Sequence, residues 1–297
     1  MMVKLKKIWV QIRDCYLFFF RNAIIITGYV DDHTWSGIRH RNWGDDLNYY
    51  FIHEITGRPV IFYHNFWLAK KLKCRNYLCI GTLLDAVNYS NHQTIVWGSG
   101  VSGQDRDLTP PQKICSVRGK LTRSFLIDRH IDCPESFGDP ALLLPLFYKA
   151  QEIKKTYKLG IIPHVIDLEH DVITQIRKEC PDDILIIDLC NYKKWTDVID
   201  LICSCKYIAS SSLHGLIVSD AYGVPNCWIE LSGKISGGYF KFLDYASSVN
   251  RHFDSPYRVT SVDDLPLITE LCKQNDKPVI DTESILAACP LPIKNKS

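Results

Sequence analysis

No stretch of this chain reaches the ~18 uninterrupted apolar residues of a membrane-spanning helix, and its 297 residues carry a formal net charge of only +2. Without a charge excess, a basic tail, a Cys-and-His finger spacing or an aromatic RNA-binding signature, nucleic acid is not an expected partner. Glycine-rich phosphate loops are missing too. Gly98-Ser99-Gly100 lacks the third glycine of a dinucleotide fingerprint, and there is no Walker lysine. Gly-x-Ser-x-Gly is absent, which argues against an α/β-hydrolase. The 12 cysteines are scattered, and the close pairs Cys74/Cys79 and Cys203/Cys205 lack two-plus-two zinc spacing. They are expected to be buried thiols in a reducing cytoplasm, with no metal site. Low-complexity segments and internal sequence repeats are also lacking.

What is present is a chain of 46% hydrophobic and 23% charged residues, long enough for two medium cores. Strands are predicted at 23–30, 60–63, 77–80, 94–97 and 114–117, then at 159–162, 184–188, 207–209 and 225–230. Helical spacing falls between them, at 47–56, 121–127, 172–178, 195–205, from about Leu213, and at 240–249 and 282–289. The alternation predicts an α/β fold of two Rossmann-like domains with parallel sheets facing a cleft. The proline-bounded segment 138–145 marks the crossing, giving domains 1–148 and 149–297, with the last helix returning to the first domain. Ligands in such sheets sit outside the carboxyl ends of the strands.

Residues 1–20 combine Lys4, Lys6, Lys7 and Arg13 with Trp9 and Phe18 to Phe20. Gln11, Arg13 and Asp14 interrupt the apolar run and no small-residue cleavage site follows, so a secretory signal is not expected. Two expectations stand for this segment. One is an interfacial helix on anionic lipid at the inner face of the cytoplasmic membrane. The plainer one is a helix that packs its aromatic face on the first domain.

The most informative stretch is Ser210 to Asn226. A β run ends in Ser210-Ser211-Ser212, and a helix opens at about Leu213 with His214 in its first turn and Gly215 beside it. A helix N-terminus offers N–H groups and partial positive charge to a phosphate or carboxylate, and a histidine there is placed to move a proton. The same residues also read as an ordinary cap and a core histidine. Arg118 stands at a strand end before a helix, where its planar fork suits an anion or a surface salt bridge. In Asn42-Trp-Gly44-Asp45-Asp46, the acids either complement the helix dipole or accept from sugar hydroxyls. Gly98 and Ser99 read most simply as a tight turn.

In this order, seven motifs resemble the polysaccharide pyruvyl transferase family. They are Asn42-Trp-Gly-Asp-Asp-Leu-Asn48, Ile80-Gly-Thr-Leu-Leu84, Trp97-Gly-Ser-Gly-Val101, Val117-Arg-Gly-Lys-Leu-Thr122, Gly138-Asp-Pro-Ala-Leu-Leu-Leu-Pro145, Ile162-Pro-His164 and Ser211 to Asn226. Lys241-Phe-Leu-Asp-Tyr245 is similar to the family's late segment. The resemblance implies a GT-B-like architecture and transfer of pyruvate from phosphoenolpyruvate to a sugar as a cyclic ketal, with release of phosphate and no resident cofactor. It implies that Arg118 and His214 meet the donor, with His214 as general acid or phosphate clamp. Ser211, Ser212, Gly215, Asn42, Gly44, Asp45, Asp46, Gly98, Ser99, His164 and Lys241 are the further candidates for substrate binding. The implied partner is a saccharide acceptor, lipid-linked if the N-terminal helix meets a membrane. Two other readings stay open: a nucleotide-sugar glycosyltransferase that binds a diphosphate at the same helix terminus and a ribose at Glu230, and a non-enzymatic member of an assembly complex.

Overall fold

The computed structural model describes residues 2–28, 33–34, 37–38, 42–86, 89–150, 153–180, 182–235 and 237–294. Residues 29–30 of the first predicted strand, most of the polar loop before Asn42 and the side chains of Lys4 and Lys6 lie outside the described residues.

The chain opens with helix α1 (Met2–Phe20) and strand β1 (Ile24–Thr27), whose four buried residues suit a central parallel strand. A two-residue hairpin follows, β2 (His33–Thr34) and β3 (Gly37–Ile38). Helix α2 (Trp43–Thr56) is capped by Asn42 and stopped by Gly57, at φ 65°, where glycine carries no Cβ penalty. Then come β4 (Val60–Phe62), α3 (Trp67–Lys71), β5 (Asn76–Leu78), β6 (Thr94–Trp97), β7 (Lys113–Ser116), α4 (Lys120–Ile127) and α5 (Leu144–Phe147). The second half runs β8 (Tyr157–Ile162), α6 (Asp171–Glu179), β9 (Ile184–Ile186), α7 (Trp195–Cys203), β10 (Cys205–Ser210), α8 (Leu213–Ala221), β11 (Asn226–Glu230), α9 (Phe240–Ser248), β12 (Tyr257–Arg258), α10 (Leu265–Gln274) and α11 (Thr282–Ala287).

The strands form two parallel five-stranded sheets, ordered β4-β1-β5-β6-β7 and β12-β11-β10-β8-β9. Counted within each sheet, both have the order 2-1-3-4-5, although their sequences show no repeat. That doubly wound order reverses between its first and third strands, which is where ligands sit. The reversals fall at the ends of β1 and β5 and at the ends of β8 and β10.

One hydrophobic cluster runs through both halves, from Trp43, Leu47 and Phe51 to Ile199, Ile217 and Tyr245. Trp43 donates its backbone N–H to Leu189 O (2.9 Å) and its indole N–H to Trp195 O (2.7 Å). The closing segment lies against the first sheet: Trp97 Nε1 donates to Ile285 O at 3.0 Å, and Lys294 pairs with Glu54. Sequence patterning misses α3, α5, α10, β12 and the β2–β3 hairpin, and it ends β9 and α7 too late.

The N-terminal helix departs from the plainer expectation. Val10, Arg13 and Asp14 are turned inward, and Phe18 packs edge-on against Phe66. Trp9, Phe19 and Phe20 face outward. Arg13 is engaged with Asp14 at 2.7 Å inside the fold, so it is not one of the surface cations. Among the described residues no helix is long and apolar enough to cross a membrane.

Candidate active site

The helix start read from the three serines is where the structure has it: α8 opens at Leu213, after the carboxyl end of β10. Ser212 is the N-cap residue, but its side chain makes no capping bond. The other two serines stabilise the turn instead. Ser210 Oγ accepts from Ser212 N (3.0 Å), and Ser211 Oγ accepts from His164 N (2.8 Å), tying the ends of β10 and β8 together. Gly215 is required by this turn, because a Cβ there would lie 2.2 Å from Ser210 Oγ. The positive end of a nine-residue helix is thus held at the sheet's reversal point without a side-chain cap.

His214 reaches across to the first half. A Cβ on Gly44 would fall 2.1 Å from its Nδ1, and one on Gly81 would fall 3.5 Å from Cε1. The ring therefore lies against the start of α2 and the turn after β5. It is 8% exposed, and its Nε2 has no hydrogen-bond partner. Burial, together with the Arg118 and Lys241 charges, pushes its pKa down to about 3. The ring is neutral at physiological pH. A buried, unpartnered ring nitrogen is a place where an incoming polar atom is satisfied rather than displaced.

Lys241, in the first turn of α9, belongs to the same charge cluster. Burial and Arg118 push its pKa down to about 8, against the opposing pull of Asp45. His164 is near enough to feel Lys241, and burial with that charge brings it down to about 4.

Arg118 is fully buried, and the fork that the sequence offers to an anion is engaged inside the protein. Its Nε donates to Asp244 Oδ2 (2.8 Å), Nη1 to Thr82 Oγ1 (2.6 Å) and Nη2 to Val101 O (2.9 Å). Gly100 lets the guanidinium lie flat on the backbone, since a Cβ there would sit 2.4 Å from Cζ. Asp244 also accepts from Thr122 N and Thr122 Oγ1, so α9 is locked onto the start of α4.

The remaining candidates divide. Asn42 caps α2 and donates to Asp45 Oδ2 (2.8 Å), which leaves Asp45 half-buried on the Lys241 side. Asp46 turns inward and accepts from Tyr192 OH, a link between the halves rather than a free acceptor. Ser99 is buried, with its hydroxyl donating to Gly81 O (3.0 Å). Gly98, at φ +81°, packs on Pro140, where a Cβ would meet Cδ at 2.3 Å. The tight-turn reading suits both residues. Glu230 accepts from Tyr239 OH at 3.2 Å.

Three residues of the site were not singled out from sequence: Asp244, Thr82 and Asp139. Asp139 accepts from Ala141 N and Gly81 N and so sets the turn beneath His214; burial raises its carboxyl to about 6. A signal for Asp244 exists, since an acid set between Leu243 and Tyr245 in an apolar helix face needs a buried partner.

The result is a cluster of charge and helix ends at the junction of the two halves. The starts of α2, α8 and α9, a neutral histidine, Lys241 and the Asp244-paired Arg118 come together there. Lys241 and the start of α8 can attract an anion, and His214 sets a titratable nitrogen beside them. Gly44→Ala tests the packing directly. The added methyl is expected to cost about 1–3 kcal/mol of stability and to push the ring out of its slot. In an NMR titration of the histidine ring protons, the His214 pKa should rise from about 3 towards the ordinary imidazole value. An unmoved titration would contradict this placement.

Residues 42–233 match the family model described as polysaccharide pyruvyl transferase. An uncharacterized protein, L143, of Acanthamoeba polyphaga mimivirus is 30% identical over 220 residues, covering 67% of this chain and 72% of that protein. The succinoglycan biosynthesis protein ExoV of Rhizobium meliloti (strain 1021) is 26% identical over 219 residues, covering 71% of this chain and 62% of ExoV. The chain therefore spans less than two thirds of ExoV's length.

Proposed function

The chain belongs to the polysaccharide pyruvyl transferase family, and from that premise we propose that it moves pyruvate from phosphoenolpyruvate onto a saccharide, closing a ketal across two hydroxyls and releasing phosphate. The observation that carries the donor is the convergence of Lys241, the buried charge of Arg118 and the uncapped start of α8 around the unpartnered His214 Nε2. Phosphoenolpyruvate brings a carboxylate and a phosphate, and the Lys241 ammonium and the start of α8 offer a positive end to each. In this reading residues 149–297 carry the donor, residues 1–148 face the acceptor, and the two halves work as a GT-B-like pair.

The chemistry needs a proton at the donor's methylene carbon, which leaves a cationic centre at C2. One sugar hydroxyl bonds to C2 and its proton returns to the His214 ring; a second hydroxyl then bonds to C2 as the C2–O bond to phosphate breaks, and its proton leaves with the phosphate. His214 is the proton donor, but in the free protein its ring is neutral and lacks the second, acidic proton. The donor's negative charge opposes Arg118 and Lys241 and raises the proton affinity of the ring. The acid is thus loaded by the substrate that uses it.

The sign of the pH dependence follows. His214 and Lys241 both have lower pKa values in the free protein than beside a bound anion, so binding takes up protons. Affinity for phosphoenolpyruvate is expected to fall as pH rises through about 8, where free Lys241 loses its charge. Calorimetric titration in buffers of different ionisation enthalpy should register net proton uptake. Affinity that stays flat from neutral to mildly alkaline pH would rule this mechanism out.

A further inference from the structure

The outward face of α1 has no place in the chemistry above. Ile8, Trp9, Ile12, Tyr16, Phe19 and Phe20 are between 50% and 74% exposed. They recur at three- and four-residue spacing and so form one stripe along the helix. The opposite stripe packs on the first sheet, beside Ile61 and Phe66. A helix that is apolar on both faces, with aromatics on the solvent side, leaves a large patch for something to cover.

Trp67 widens the patch. Its backbone N–H donates to Gln11 Oε1 (3.3 Å), and Gln11 Nε2 donates to Asn65 O, so the start of α3 sits beside α1 with the Trp67 side chain 52% exposed. The exposed charges that the two segments forming this surface carry among the described residues are basic. From Ile55 to Leu84 the chain holds Arg58, Lys70, Lys71, Lys73 and Arg75 and no acidic residue. From Met1 to Gly28 the only acid is Asp14, which is buried against Arg13. Lys7, Arg21, Lys70, Lys71 and Lys73 are all exposed.

We propose that the outward face of α1, with Trp67 and its flanking lysines, docks on an anionic lipid surface, with α1 lying in the plane of the interface. Aromatic side chains suit the headgroup boundary, and exposed cations beside an apolar stripe add attraction to anionic lipid. A second copy of this chain is the poorer occupant, because face-to-face pairing would set two basic rims against each other.

The orientation has a consequence. Three residues join the end of α1 to the start of β1, and Gln11, midway along α1, bonds Asn65 and Trp67 just past the carboxyl end of β4, so the N-terminal half of α1 lies toward the carboxyl end of the sheet. α3 follows the carboxyl end of β4 and lies at the same end, as do Gly44 and Gly81. A protein docked in this way lays the strands of the first sheet along the lipid surface, so the carboxyl end of that sheet opens alongside the lipid, where an acceptor carried on a lipid would be met. That last consequence rests on the pyruvyl transfer reading; the docking itself does not.

Flotation of the full chain with phosphatidylcholine vesicles, with and without phosphatidylglycerol, tests it. The wild type should float with the anionic vesicles and lose binding at high salt. The triple variant Trp9→Ser, Phe19→Ser, Phe20→Ser and the charge variant Lys7→Glu, Lys71→Glu should each bind more than about tenfold more weakly. All five side chains are exposed, so thermal melts should match the wild type. Wild-type protein that stays soluble beside anionic vesicles, or variants that float equally well, would overturn the proposal. So would a dimer in sedimentation velocity that the triple variant dissociates, because the face would then be a subunit interface.

Discussion

Arg118→Ala is expected to destabilise the protein by about 3–5 kcal/mol and to lower its melting temperature by on the order of 10 °C. The guanidinium is fully buried and engages Asp244, Thr82 and Val101 at once. Its removal leaves the Asp244 carboxylate in the interior with only Thr122 to satisfy it, and it opens a void over Gly100. Lysine should rescue little, since one ammonium cannot replace a planar fork with three separate partners. Asp244→Asn and Arg118→Met should together cost less than the sum of the two single changes, because each removes the partner the other needs. An Arg118→Ala protein that melts within a degree or two of the wild type would contradict the pairing. The practical consequence is that lost activity in an Arg118 variant does not by itself identify a donor contact; a melt has to accompany every assay.

His214→Gln is expected to do the reverse. Turnover, followed as phosphate released from phosphoenolpyruvate with a saccharide acceptor, should drop by about 10²- to 10⁴-fold, the range for loss of a general acid. Stability should barely change. The ring is neutral in the free protein and its Nε2 has no partner to lose. Glutamine preserves bulk over Gly44 and Gly81 while removing a group that can gain and give a proton. Donor binding should weaken far less than turnover, and the proton uptake on binding should shrink. Turnover that survives within a few-fold of wild type would move the acid elsewhere, with His164 the nearest alternative beside Lys241.

Much of this architecture is legible in the sequence because it is local. The start of α8 at Leu213 follows from three serines ahead of an apolar periodic run, and the end of α2 follows from Gly57 and Pro59. Short apolar runs of three to six residues locate the strands, although their ends are blurred where the apolar run outlasts the pairing, as after Ile186. Helix α10 goes unread, yet the 3-10 turn that leads into it opens on a capping box, Ser261 with Asp264, and Pro266 stands in its own first turn.

The relations that make the site are not local. Arg118 and Asp244 stand 126 residues apart, and Tyr192 and Asp46 146 apart, so no window of sequence contains either pair. For the same reason the acids of α2 are chemically alike on paper and opposite in the fold. Asp45 looks toward Lys241, while Asp46 is buried against Tyr192. The outward face of α1 is likewise invisible in a helix whose two stripes are both apolar, because only the packing decides which of them is covered.

The central claim is that the cluster of His214, Lys241 and the start of α8 takes phosphoenolpyruvate rather than a nucleotide sugar. One calorimetric comparison tests it: wild type and Lys241→Met, each titrated with phosphoenolpyruvate and, separately, with UDP- and GDP-sugars. Phosphoenolpyruvate alone is expected to bind the wild type, with proton uptake, and Lys241→Met is expected to weaken that binding by at least about tenfold. A nucleotide sugar that binds while phosphoenolpyruvate does not would contradict it and would make this site a glycosyl donor site.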